Sequence, residues 1–88
     1  MLWIEGKGYV TRSFTTSDQG RAYVLTVDGT TVVLLDSVKV FSCKKGEYVH
    51  FGGYGQIKVR SDGSPTVYLY LAKGGFVNPS MLLKQAST

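Results

Sequence analysis

One cysteine, one histidine and two prolines are all that the 88 residues contain of those three types. Cys43 has no partner for an internal disulfide, and Cys43 with His50 falls short of the Cys/His set a structural zinc requires, so neither metal nor cofactor is expected. Carboxylates are scarce too. Of the six, Asp18, Asp28 and Asp62 stand in or beside glycine-containing turns, where Asp serves backbone geometry. Acid–base or nucleophilic catalysis needs a nucleophile beside a base, or carboxylates with separated pKa values; the chain is therefore not expected to be an enzyme or to take a small-molecule substrate.

Long apolar runs are missing as well. The longest aliphatic block, Val32-Val33-Leu34-Leu35, is far from the ~18–20 residues of a membrane span. Glu5 and Lys7 interrupt the apolar start where a secretory leader needs an unbroken core. The expectation is a cytoplasmic protein with no membrane partner. Gly52-Gly53-Tyr54-Gly55 is glycine-rich, but no Lys-Ser/Thr pair follows and no helix starts there, so it lacks the parts that hold a nucleotide phosphate.

What is present reads as one small all-β domain over residues 1–88. Hydrophobic residues make up 43% and charged residues 18%, a balance that folds rather than one that stays disordered. Helical periodicity is rare; β-branched and aromatic runs recur between Gly, Asp and Ser clusters. A long strand from Leu2 to Phe14 carries Gly6 and Gly8 and is expected to bend. A polar hairpin loop, 15–20, leads to Arg21–Asp28, where Tyr23, Leu25 and Val27 share one face and Ala22, Val24 and Thr26 the other. Asp28-Gly29 suits a type I′ turn into Thr30–Leu35, since both central residues need positive φ. Val38–Phe41 then resumes the strand, and 42–46 make a basic turn before Glu47–Phe51. The triple glycine is expected to kink the chain ahead of Gln56–Arg60, and a Ser61–Pro65 turn leads into Thr66–Ala72. There Val67, Leu69 and Leu71 belong to the core and Tyr68 and Tyr70 to the opposite face. Asn78 as N-cap and Pro79 at the first helical position predict a short helix through Gln85. Five strands with a glycine-rich bend fit a small Greek-key barrel of the OB type, with an SH3-like barrel as its competitor.

Ten Lys/Arg against six Asp/Glu give a formal charge of +4. Basic residues interleaved with rings on strands are what unpaired nucleic acid demands: cations follow the phosphates and aromatic faces stack on the bases. Arg12, Arg21, Lys44, Lys45, Lys58 and Arg60 are the candidate cations, and Tyr9, Tyr23, Tyr48, Phe51, Tyr54, Tyr68 and Tyr70 the candidate rings, led by Tyr23, Tyr48 and Tyr54. The structural alternative is that tyrosines are simply favoured in strands, each ring taken singly being structural about twice as often as functional. No recognition helix is available for a duplex.

Ser13-Phe14-Thr15-Thr16 followed by Gln19-Gly20-Arg21-Ala22-Tyr23-Val24-Leu25 resembles the DNA-binding hairpin of the filamentous-phage gene-five single-stranded-DNA-binding proteins. Gly46-Glu47-Tyr48-Val49-His50-Phe51 and the stretch from Val59 through Asp62-Gly63-Ser64-Pro65 to Leu69 look like later strands of that family. The resemblance covers about half the chain. It implies a homodimeric barrel coating single-stranded DNA during phage DNA replication, in the bacterial host's cytoplasm. With Lys44, Lys45, Lys58 and Arg60 expected from their own charge to line the groove, the resemblance further implies that Tyr23 and Leu25, on a projecting hairpin, touch bases beside a basic Arg21. On that basis Tyr23→Ala is expected to weaken binding by ~1–3 kcal/mol and leave the fold intact. Asp18 departs from the pattern, standing where a basic residue would help. Tyr48-Val49-His50-Phe51 also echoes a cold-shock element, which implies RNA. The rival from another class is a protein-assembly module using exposed tyrosines and Met81-Leu82-Leu83.

Overall fold

The alternating runs become strands in a computed structural model that describes residues 1–80. In chain order these are β1 (Leu2–Thr15), β2 (Arg21–Val27), β3 (Thr30–Asp36), β4 (Tyr48–Val59), β5 (Pro65–Tyr70), a 3-10 turn (Leu71–Lys73) and β6 (Phe76–Pro79). They form one sheet in the order β1-β2-β3-β5-β4-β6, and β1 also pairs with β4, which closes the first five into a ring. Every ring pairing is antiparallel except β3 with β5. This is the OB-type Greek-key barrel expected from the sequence.

Closure depends on two long strands that change partners along their length, β1 serving two neighbours and β4 three. β1 pairs with β4 through Leu2–Tyr9 and with β2 through Tyr9–Thr15, with a register shift between Val10 and Arg12 where the strand bends. β4 pairs along one edge with β6 through Val49–Gly52 and with β5 through Tyr54–Val59. β4 is one continuous strand through the triple glycine and exchanges β6 for β5 there. Gly55 lies so close to β5 that a Cβ would run into the carbonyl of Tyr68.

Asp28 (φ 48°) and Gly29 (φ 81°) make the expected tight turn between β2 and β3. Val67, Leu69 and Leu71 are buried in the interior cluster as anticipated, with Val10, Leu25, Val32, Leu34, Val49 and Phe51. Two expectations fail. Val38–Phe41 is not a strand: Lys39 takes a positive φ of 57°, and the Asp36 carboxylate accepts from the amides of Val40 (3.2 Å) and Phe41 (2.9 Å), folding the segment into a loop. Asn78 and Pro79 belong to β6 rather than to a helix start, since β4 offers them a free edge. The rest of that predicted helix lies outside the described residues. Among the described residues, no helix is long and apolar enough to cross a membrane.

Candidate nucleic-acid interface

Residues opposite one another on paired strands point to the same side of a sheet. Tyr23 stands opposite Leu34, Leu34 opposite Leu69, and Leu69 opposite Gly55. That row faces the barrel interior. Tyr23 and Leu25 are both 0% exposed, and the Tyr23 hydroxyl donates to the Phe41 carbonyl at 2.7 Å. Burial pushes the Tyr23 phenol above its ordinary value of 10.0, opposed by the neighbouring Arg21 guanidinium. Neither residue can stack on or touch a base without unfolding the barrel; the roles transferred from the phage hairpin are wrong for both. Arg21 shares their side of β2 but sits at its end, half-buried, where it lines a cleft with Asp36, Tyr70 and Lys73.

The next row points outward and runs around the barrel. Phe14 faces Ala22, Ala22 faces Leu35, Leu35 faces Tyr70, Tyr70 faces Tyr54, and Tyr54 faces Trp3. A second outward row joins Arg12, Val24, Val33, Tyr68 and Gln56. Ala22 and Val24 are buried, yet they are not part of the interior cluster. Phe14, Trp3 and Tyr54 remain 43%, 44% and 45% exposed, so ring surface is available to a ligand. The Trp3 and Tyr54 rings meet edge to face at 5.1 Å.

Cations border these rings. The Arg12 guanidinium lies 5.4 Å from the centre of Phe14 and the Lys58 ammonium 5.3 Å from that of Tyr68. Arg60, two residues along from Lys58, donates from Nε to Thr66 Oγ1 at 2.7 Å. No carboxylate occurs in either outward row. At the Trp3 end one stands close by: Glu5 accepts from Trp3 Nε1 at 3.2 Å and pairs with His50 Nε2 at 2.9 Å. The Trp3 hydrogen bond, then His50, hold the Glu5 carboxyl below its ordinary value of 4.5.

The expected groove of four cations does not form. Lys44 and Lys45 occupy the turn before β4, where Gly46 donates to the Val10 carbonyl at 2.7 Å and Val10 to that of Glu47 at 2.9 Å. This turn adjoins β1 and leads into the start of β4, whereas Lys58 and Arg60 stand at and just beyond the far end of that strand, beside β5. Tyr48 likewise leaves the band and pairs with Tyr9, ring centres 4.8 Å apart. Of the sequence-derived site, Arg12 borders the outward rows at their β1 end, and Tyr54, Lys58 and Arg60 stand at their β4 end; Trp3, Phe14, Tyr68 and Tyr70 complete the face. Tyr68 and Tyr70 are among the rings the sequence offers, and β1 register alone brings in Trp3 and Phe14.

Cys43 is buried, and its thiol is pushed up to about 11, mainly by burial and then by the charges of Glu47 and Asp36. Lys44 and Lys45 do not activate it. Among the described residues no group of three His, Cys, Asp or Glu side chains could hold a metal ion. No protein-family model, characterised protein or solved structure matches this chain.

Proposed function

We propose that this barrel binds single-stranded nucleic acid, DNA in the first instance, along the outer ring rows and without sequence readout. The observation that carries the reading is the unbroken outward row from Phe14 through Leu35, Tyr70 and Tyr54 to Trp3, bordered by Arg12 and Lys58. Unpaired bases present π faces that stack on such rings for ~1–3 kcal/mol each, and the cations meet the phosphates. The OB type binds oligonucleotides on its strand 2–3 face, which these rows cross at Ala22, Leu35, Val24 and Val33 between the rings of β1 and those of β5 and β4. The gene-five resemblance favours DNA over RNA and a coating role in phage replication; it no longer supplies the base contacts.

A fluorescence titration with oligo-dT and oligo-U at two salt concentrations tests this. With Arg12, Lys58 and Arg60 as phosphate contacts, three sites predict a slope of about −2 in log K against log salt for a single strand. Salt-independent or undetectable binding contradicts the reading.

A contact between copies of the chain is a compatible second reading. Ile57 and Val59, 52% and 70% exposed, lie on the β4–β5 hairpin beyond the interior cluster, and apolar surface left outside a core is what a dimer covers. Sedimentation of the wild type and of Val59→Lys distinguishes a homodimer through this hairpin from a monomer.

A further inference from the structure

We propose that the cleft of about 260 Å³ between the β1–β2 loop, the end of β3 and the 3-10 turn is a pocket for one unstacked base of the bound strand, with Arg21 and Lys73 meeting its sugar-phosphate. This rests on the strand-binding reading and deepens it, because it gives an otherwise sequence-tolerant surface one enclosed contact.

Continuity is the first argument. Leu35 and Tyr70 belong both to the outward ring row and to the cleft lining, so a strand lying along the row passes its mouth. Chemistry is the second. Leu35, Tyr70 and Ala72 offer apolar and ring surface for a planar base, while Arg21 and Lys73 offer positive charge beside it. Two carboxylates also line the cleft, but both are engaged. Asp36 is fully buried and committed to the Val40 and Phe41 amides. Asp18 Oδ1 accepts from the Thr16 hydroxyl and from the Gly20 amide. Among the described residues, neither Arg21 nor Lys73 has an ion-pair partner. Size is the third. Clefts for drug-sized ligands run about 300–1,000 Å³, so this one suits a single ring system and excludes a stacked pair.

The walls are set before a ligand arrives. Gln19 donates to the Thr16 carbonyl and Thr16 to that of Gly20, both at 3.0 Å, which closes the loop on one side. Tyr70 is tied on the other side by Gln56, which donates to its hydroxyl at 3.0 Å. A base entering here therefore meets a preformed site and loses little to ordering of the protein.

The test is amide NMR on the full chain, titrated separately with thymidine monophosphate, deoxyribose 5-phosphate and oligo-dT. Thymidine monophosphate is expected to shift the amides of Gly20, Ser37 and Lys73 saturably, and the base-free sugar phosphate is not. Equal shifts with the sugar phosphate would make the cleft an anion site and overturn the base pocket. Unmoved cleft amides alongside oligo-dT shifts on Val33 and Tyr54 would also overturn it and leave strand binding standing. The reverse pattern, cleft shifts without any oligo-dT response along the rows, would remove the strand reading and with it the pocket's role for a base of a bound strand, leaving a site for a free nucleotide. Ala72 is exposed, so Ala72→Phe fills the cleft from the surface; oligo-dT affinity is expected to fall at least about fivefold. Unchanged affinity in a folded Ala72→Phe protein counts against the pocket.

Discussion

The Tyr23 hydroxyl donates a 2.7 Å hydrogen bond to the backbone carbonyl of Phe41, tying the middle of β2 to the β3–β4 loop. Asp36 holds the same loop from β3 through the Val40 and Phe41 amides. Tyr23 is thus a structural residue, filling the interior with its ring and fixing a loop with its hydroxyl.

Tyr23→Phe is expected to destabilise the protein by about 1 kcal/mol, rising toward 3 if the Phe41 carbonyl finds no water, and to leave oligo-dT affinity unchanged. Tyr23→Ala leaves a cavity and costs about 3–5 kcal/mol, comparable with the whole stability of a domain this size, ~4–13 kcal/mol. Urea denaturation of both variants checks the order; a stable Tyr23→Ala protein with weakened DNA binding would restore the hairpin role.

Asp36→Ala removes a buried carboxylate that satisfies two amides. A loss of roughly 1.5–3 kcal/mol is expected, with faster hydrogen exchange at Val40 and Phe41 than elsewhere in the protein. Uniform exchange rates across the chain would show that the loop does not depend on Asp36.

Gly55→Ala forces a Cβ against the Tyr68 backbone, which cannot yield as a flexible side chain can. A loss of at least about 1–3 kcal/mol is expected from overpacking at the point where β4 takes up β5. Calorimetric midpoints of Gly55→Ala and of a neighbouring surface change such as Gln56→Ala make the comparison, and equal midpoints contradict it.

The β2 sequence shows why the site was only half legible. Alternation divides Tyr23, Leu25 and Val27 from Ala22, Val24 and Thr26, but both sets are mostly apolar, so period alone does not say which side is the interior. The larger set fills the barrel, and the smaller set belongs to the outward rows, whose rings come from other strands. Those rings belong together only through register, which joins Trp3 to Tyr54 and Leu35 to Tyr70 across long sequence separations. The turns were readable because their chemistry is local: Asp28-Gly29 is one case. The β5 core face was readable because Val67, Leu69 and Leu71 alternate against phenols. Val38–Phe41 carries β-type alternation yet loses it to the Asp36 carboxylate four and five residues upstream, a side-chain-to-backbone contact that hydrophobic alternation does not register.

Acid should weaken the fold through three surface carboxyls. Glu5 is held below 4.5 by Trp3 and His50, Asp18 below 3.8 by Thr16 and the Gly20 amide, and Asp62 below 3.8 by the Ser64 hydroxyl and amide. Depressed folded values mean stability that is complete above the unfolded values and is lost as pH falls through the folded ones. Urea midpoints should hold from neutral pH down to the ordinary carboxylate range and decline below it. A midpoint that rises on acidification reverses the sign and contradicts these contacts.

The outer ring rows meet their most direct test in oligo-dT affinity of Tyr54→Ala, set beside the wild type and Tyr23→Phe at about 50 and 200 mM salt. Loss of one stacking ring predicts binding weaker by ~1–3 kcal/mol in Tyr54→Ala alone. All three proteins should lose about 20-fold between the two salts, as three phosphate contacts require. Wild-type affinity in Tyr54→Ala, or binding indifferent to salt, contradicts the assignment of the strand to this face.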